Sequence, residues 1–341
     1  MAGRWGWRRV LRSGVTVAFV AAVAVGVALA LRGQQWSTLG QLLRPETTVW
    51  LLAALLVTAV GLLCGTRAWT LTLAAVGAPV PAGTGIRMFF VGFLGKFVPG
   101  RLWGLLAQIR LGEKAGVSRA RMAGTYLVNL AVVLLTGGAV SLLVAPAVLD
   151  TGLAWLLAPV LLLVVLAVRP DVIDTVVALA ARVTRRPRPA ALDRPADIRR
   201  SIAYQTVSWL LSGLHLWIFA VLLGADAAAA LPVTVGAFAL ATTAGTVALF
   251  VPDGAGVREV VVVAALTTVL PLPAAVTAAI ASRVLTTLAE VLTAAVALIA
   301  VAVRDRQTRT ATGRRRPRGL LTRHPEPDAP TAETRLTPTP G

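Results

Sequence analysis

Apolar positions run together in blocks at roughly 15–31, 47–64, 121–145, 153–168, 201–223 and 276–303. Each block is long enough to cross the roughly 30 Å hydrocarbon core of a bilayer. The pattern predicts six membrane-spanning helices. Two further apolar regions, 86–112 and 233–270, are each broken in the middle by proline and glycine.

Charge between the blocks sets an orientation. The segment 169–200 holds eight Arg and several Pro, which marks it as the main cytoplasmic loop. The basic stretch 1–14 places the N-terminus inside, and the first block, of spanning length, reads as an uncleaved helix. Residues 304–341, rich in Arg, Pro and Thr, read as a disordered cytoplasmic tail. The stretches "APAVLDTG" (145–152) and "GADAAAAL" (224–231) carry no basic residue, which suits the outside.

Parity then decides the broken regions. A single crossing by 86–112 would strand Arg110, Lys114 and the eight-Arg loop outside, so this segment is expected to enter and leave on the cytoplasmic side. Its arms, Ile86–Val98 and Arg101–Gly112, are roughly 20 and 18 Å long as helices, too short to span alone. The same reasoning predicts that 233–270 enters from outside and breaks at "FVPDGAGVRE" (250–259), although its first arm, Val233–Val251, could span. Both breaks begin with Phe-Val-Pro, at Phe97-Val98-Pro99 and Phe250-Val251-Pro252. The expected fold is an all-α polytopic membrane protein of six spans plus two re-entrant hairpins. These eight hydrophobic units form an inverted repeat with both termini inside, and 15–303 is the transmembrane domain.

A break at membrane depth is tolerated only where protein or a wet cavity satisfies the exposed backbone. Pro99-Gly100 and Pro252-Asp253-Gly254 each open a half-helix whose free N–H groups favour an anion. Arg101 and Arg258 add positive charge in the first turns, whereas Lys96 reads equally as a site cation or as an interfacial anchor. In the last span Arg283, Thr286, Thr287, Glu290 and Thr293 share one helical face. Arg283 and Glu290 are two turns apart, so each needs a partner from another element, with Glu259 and Arg258 as candidates. The stripes Gln205, Ser208, Ser212, His215 and Thr125, Asn129, Thr136 read as interhelical hydrogen bonding.

Composition narrows the chemistry. Apolar residues fill 57% of the 341 positions, mean hydropathy is +0.77 and net charge is +18. Nearly all the cations are Arg placed between apolar blocks, which suits orientation and anionic headgroups rather than nucleic acid. One cysteine, Cys64, and two histidines, His215 and His324, leave no metal cluster or disulfide. No phosphate-binding Gly-Lys-Ser/Thr loop and no Ser/His/Asp arrangement is present, so neither a cofactor nor an enzymatic activity is expected.

"GKFVPGRLW" with "AGVSRARMAGTYLVN", and later "FVPDGAGVRE", resemble the flippase-like membrane domain of lysyl-phosphatidylglycerol synthases, over roughly residues 10–303. The matching positions are Gly95, Lys96, Pro99, Gly100 and Trp103 in the first motif and Pro252, Gly254, Gly256, Arg258 and Glu259 in the second. Two departures stand out. Asp253-Gly254 occupies a place where many members carry Gly-Gly, and Leu102-Trp103-Gly104 lacks the acidic residue many members place there. The resemblance implies movement of aminoacylated phosphatidylglycerol or polyprenyl-phosphate-linked sugars between leaflets of the cell membrane. The expected headgroup site comprises the matched residues other than Gly95 together with Arg101, Asp253, Arg283 and Glu290. Movement would be passive or ion-coupled, with Glu290, Glu259 or Asp253 as proton carriers. The alternative is a non-transporting membrane partner that tethers a cell-envelope biosynthetic enzyme through the 169–200 loop. About 38 residues after the last block are too few for the soluble aminoacyl-transferring domain of a synthase.

Overall fold

The computed structural model describes residues 40, 42, 44–97, 102–149, 152–183, 193–248 and 252–314. The expected first span at 15–31 and the basic segment 1–14 lie outside these residues. Among the described residues all regular structure is helical. The helices are α1 (Thr48–Ala75), α2 (Ala82–Leu94), α3 (Leu102–Lys114), α4 (Arg119–Ser141), α5 (Ala145–Leu149), α6 (Leu157–Val168), α7 (Asp171–Val183), α8 (Pro195–Leu222), α9 (Ala227–Val247), α10 (Val257–Leu266) and α11 (Leu272–Arg314). Met1–Val301 form one compact unit and Ala302–Gly341 a second.

Five helical stretches are long and apolar enough to cross a membrane: Pro45–Ala75, Arg119–Leu149, Pro195–Leu222, Ala227–Val247 and Leu272–Thr308. The chain is a multi-pass membrane protein. Four of these stretches cover blocks expected to span, and the fifth is the long first arm of the second broken region. The remaining block, 153–168, is not a straight span: a 3₁₀ turn at Leu153–Leu156 leads into the twelve-residue α6, and the axis then bends by 91° into α7. Arg169 precedes Pro170 and leaves the helical region, with φ −114° and ψ 68°, as the ring of a following proline demands.

The expected loop 169–200 therefore contains a helix. Ile173 and Val177, one turn apart on α7, are buried in a cluster with Val128, Ala131 and Val132 of α4, and Asp171 and Asp174 favour its N-terminal turn. The Arg169 guanidinium beside Asp171 holds that carboxyl below its usual range. The expected disordered tail is likewise helical through Arg314, because no proline or glycine interrupts 304–312. Residues 315–341 lie outside the described set.

Small residues let the spans approach closely, as they do where lipid supplies no hydrophobic drive to helix association. On α1, a methyl group at Gly65 would meet Ser208 Oγ at 3.2 Å, and one at Gly61 would meet the Ser212 backbone N at 3.1 Å. Further along, Ser201 Oγ donates to the Ala68 carbonyl at 2.9 Å, and the Asp193 N–H donates to the Ala75 carbonyl at 2.9 Å. The descending order of these partners makes α1 and α8 an antiparallel pair along most of their length. Between α8 and α4, Trp209 Nε1 donates to Thr136 Oγ1 at 3.0 Å, the kind of interhelical bond expected of the polar stripes.

Candidate functional site

The first break is a hairpin held by glycine. A methyl group on Gly95 would come within 2.5 Å of Gly104 Cα, one on Gly104 would overlap the Gly92 carbonyl, and one on Gly92 would overlap the Gln108 side chain. Partner numbers fall on α2 as they rise on α3, so the two thirteen-residue arms run antiparallel at backbone contact. At the end of α2 the chain tightens into a 3₁₀ turn, Gly95–Phe97. There the ammonium of Lys96 lies 4.2 Å from the Phe93 ring centre and 5.1 Å from that of Phe97, a favourable placement against the ring quadrupoles. Pro99, Gly100 and Arg101 lie outside the described residues. Trp103 is 56% exposed on α3.

The second break is a turn of left-handed residues. Pro252 opens a 3₁₀ turn through Gly254; Gly254 and Gly256 have φ of 65° and 84°, and Asp253 has φ 48° and ψ 25°. Asp253 is the sole non-glycine residue with positive φ among those described. A methyl group on Gly254 would stand 2.6 Å from Gly245 Cα, so here too the arms touch through glycine. The Gly256 N–H donates to Glu259 Oε2 at 2.6 Å, which satisfies one free donor at the start of α10 and fixes the Glu259 side chain.

The two breaks meet. Lys96 Nζ reaches Asp253 Oδ1 at 3.3 Å and Glu290 Oε1 at 2.6 Å. Asp253 also takes Arg283 Nη2 at 2.9 Å and Arg258 Nη1 at 3.8 Å, and its carbonyl lies 3.4 Å from Arg283 Nη1. Arg283 Nε is 3.4 Å from Glu259 Oε1, the partnership anticipated from sequence. Glu290 instead pairs with Lys96, because the turn of the first hairpin lies beside α11 at that height. Phe238 on α9 faces the Arg258 guanidinium at 5.7 Å.

Three cations and three carboxylates thus form one group drawn from the first turn, the second turn, α10 and α11. Their formal charges cancel. All six side chains are at most 29% exposed, and lone charges in such a setting are costly. For Lys96, Arg258 and Arg283 the expectation of cations free to receive an anion is therefore modified: each of these three is already answered from within the chain. Among the described residues the buried Glu290 Oε2 and Asp253 Oδ2 have no hydrogen-bond partner, the approach of Arg283 to Asp253 being an ion pair outside hydrogen-bond alignment. Beside the group is a cavity of about 10 Å³ lined by Phe238, Arg258, Glu259, Ser282, Arg283 and Thr286, room for about one water.

Behind this cavity His215 is fully buried and joins α8 to α11. Its Nδ1–H donates to the Ser212 carbonyl, which leaves Nε2 to accept from Ser282 Oγ at 2.7 Å. Among the described residues no three His, Cys, Asp or Glu side chains are grouped to hold a metal ion.

Phe93 and Phe238 were not singled out from sequence, and neither were Gly92, Gly245 and Ser282; Phe97 was noted only as the start of the repeated tripeptide, and Gly104 only as a departure from the family motif. The glycines had a signal, small residues flanking both breaks; the aromatic rings had none beyond proximity to Lys96.

The family model described as lysylphosphatidylglycerol synthase TM region matches residues 14–303. The chain belongs to this family. Both breaks and every residue of the charge group fall within the matched span, whereas Ala302–Gly341 falls almost wholly outside it. No curated protein matches the chain.

Proposed function

We propose that this chain carries a lipid with a charged headgroup between the leaflets of the cell membrane, and that the headgroup meets the protein at the charge group between the two breaks. The observation that supports this reading most is the convergence of Lys96, Asp253, Arg258, Glu259, Arg283 and Glu290 where two interrupted elements touch. Interrupted helices meeting in pairs are where transporters of repeat architecture hold their substrates. Both signs of charge are available, which suits an aminoacyl-phospholipid, whose phosphodiester and ammonium need a cation and a carboxylate. An anionic polyprenyl-phosphate-linked sugar would use the cations alone. In this reading both termini face the cytoplasm, the hairpins enter from opposite sides as halves of an inverted repeat, and the chain transports without catalysing a reaction.

The small cavity and the internal charge balance favour a second reading, in which the group is a structural clamp and the chain is a non-transporting partner of an envelope biosynthetic enzyme. One experiment separates the two. The full chain, purified in mild detergent, is examined by native mass spectrometry for retained lipids, beside Arg101→Ala and Arg258→Ala, and each form is reconstituted in vesicles with a labelled aminoacyl-phosphatidylglycerol. Transport predicts one enriched lipid class, lost in both variants, and label that changes leaflet only with the wild-type chain. An unselective lipid profile and static label in all three forms would select the clamp.

A further inference from the structure

The carboxylate of Asp253 is the point on which the charge group converges. Lys96 at 3.3 Å, Arg283 at 2.9 Å and Arg258 at 3.8 Å reach it from three different elements. Among the described residues each glutamate pairs with a single cation: Glu290 with Lys96 and Glu259 with Arg283. Three cations around one small anion is the arrangement a protein builds for a phosphate oxygen cluster. Here the anion is part of the chain.

The backbone beneath Asp253 points the same way. Its φ of 48° is a left-handed value that an aspartate tolerates and a glycine adopts freely. Strained residues persist where surrounding contacts over-determine them, and they collect at sites that switch. The contacts that hold this one are the three cations. Gly254 and Gly256, both at positive φ, follow it in the turn and widen the backbone conformations open to the turn once those contacts are released. The adjoining cavity, which Arg258 and Arg283 of the trio help to line, has room for about one water, too little for a headgroup without rearrangement of this region.

We propose that Asp253 is a resident stand-in for the phosphate of the incoming headgroup, occupying the Lys96–Arg258–Arg283 trio in the closed state and displaced by a phosphate anion on loading. This inference rests on the lipid-carrying reading above. The exchange conserves charge. A phosphodiester carries one negative charge, as the carboxylate does, so the trio with Glu259 and Glu290 stays neutral when one replaces the other, provided the displaced Asp253 carboxylate turns out to water or pairs with a cation of the headgroup. An isovalent exchange avoids leaving an uncompensated cation at membrane depth, the state that would otherwise block the step.

The test uses the full chain in detergent, as wild type, Asp253→Asn and Asp253→Gly, titrated with dihexanoyl-phosphatidylglycerol and separately with inorganic phosphate. Asparagine keeps the side-chain shape and glycine suits the left-handed backbone, so the two variants fail to fold for different reasons if either does. Both are expected to bind the short lipid about tenfold more tightly than wild type, the scale on which removal of a close competing charge acts. Adding Lys96→Ala to Asp253→Asn is expected to abolish the gain. Equal lipid binding by wild type and both variants would overturn the displacement, and so would a gain that survives Lys96→Ala. A gain as large with inorganic phosphate as with the lipid would assign the trio to the free anion and overturn the headgroup assignment. Reconstituted vesicles separate this failure from failure of the broader reading: label that moves with wild type, without an affinity gain in the variants, removes the displacement alone. Label that never moves, with no form binding the lipid, removes both.

Discussion

Lys96 Nζ lies 2.6 Å from Glu290 Oε1, a contact across 194 positions of sequence that ties the turn of the first hairpin to the last span. The side chains are 21% and 13% exposed, so water does little to compensate either charge alone. Breaking a buried pair by removing one partner costs about 3–5 kcal/mol, whereas removing both costs far less. Lys96→Met is therefore expected to lower the thermal midpoint in detergent more than the double variant Lys96→Met/Glu290→Leu does. Glu290→Gln should be milder than Lys96→Met, since Lys96 keeps Asp253. Equal losses in the single and double variants would show that the pair carries no coupling.

The glycine contacts of the first hairpin make a sharper stability prediction. Gly104→Ala would drive a methyl group into the Gly92 carbonyl, and Gly95→Ala would bring one within 2.5 Å of Gly104 Cα. Backbone cannot yield as a side chain can, so each is expected to cost about 1–3 kcal/mol. Gly138, on α4, has open space around its missing Cβ, and Gly138→Ala should be neutral or raise stability by about 0.5–1 kcal/mol through helix propensity. Thermal midpoints of the three variants check the ranking.

Much of this fold was legible because hydrophobic blocks and proline-glycine breaks report directly on what can cross a bilayer. The antiparallel arms of 86–112 followed from their length, and the Arg283–Glu259 pairing followed from the cost of a lone charge in a span. What was not legible depended on depth. Lys96 could be read as an interfacial anchor until the fold placed it between Asp253 and Glu290, because nothing in a linear sequence says at what height a turn meets a distant helix. Asp253 looked like an acid intruding on an anion site; its geometry makes it the anion around which the cations gather. The helix α7 escaped notice for a different reason: eight Arg and several Pro dominated the reading of 169–200, while Ile173 and Val177 carried a local helical signal within it.

His215 makes the third prediction. It is fully buried, and both ring nitrogens are engaged, by the Ser212 carbonyl and by Ser282 Oγ at 2.7 Å. Ser282→Ala would leave Nε2 buried without a donor, a loss of about 1–3 kcal/mol. His215→Leu together with Ser282→Ala removes both polar partners and is expected to recover part of that loss. The proper readout is again the thermal midpoint, and a double variant no better than Ser282→Ala would mean that packing of the ring against Phe219 and Phe238, not the hydrogen bond, is what the protein needs there.

The orientation proposed for the chain can be checked through its cysteine content. Cys64 is the single cysteine, so Cys64→Ala gives a background without thiols. Ala82 opens α2 and Ala115 follows α3, and both are exposed. If α2 and α3 form a re-entrant hairpin, cysteines at these two positions lie on the same side of the membrane. If the chain is oriented with its basic segments inside, that side is the cytoplasm. Ala154, exposed in the connection after α5, lies across α4 from Ala115 and should face the other way. In intact cells a membrane-impermeant maleimide is therefore expected to label Ala154→Cys and to miss Ala82→Cys and Ala115→Cys until the membrane is permeabilised. Labelling of Ala82→Cys and Ala115→Cys on opposite sides would mean that the two short helices together cross the bilayer. That outcome would invert every later segment, place the cations of 169–200 outside, and remove the inverted repeat along with the hairpin.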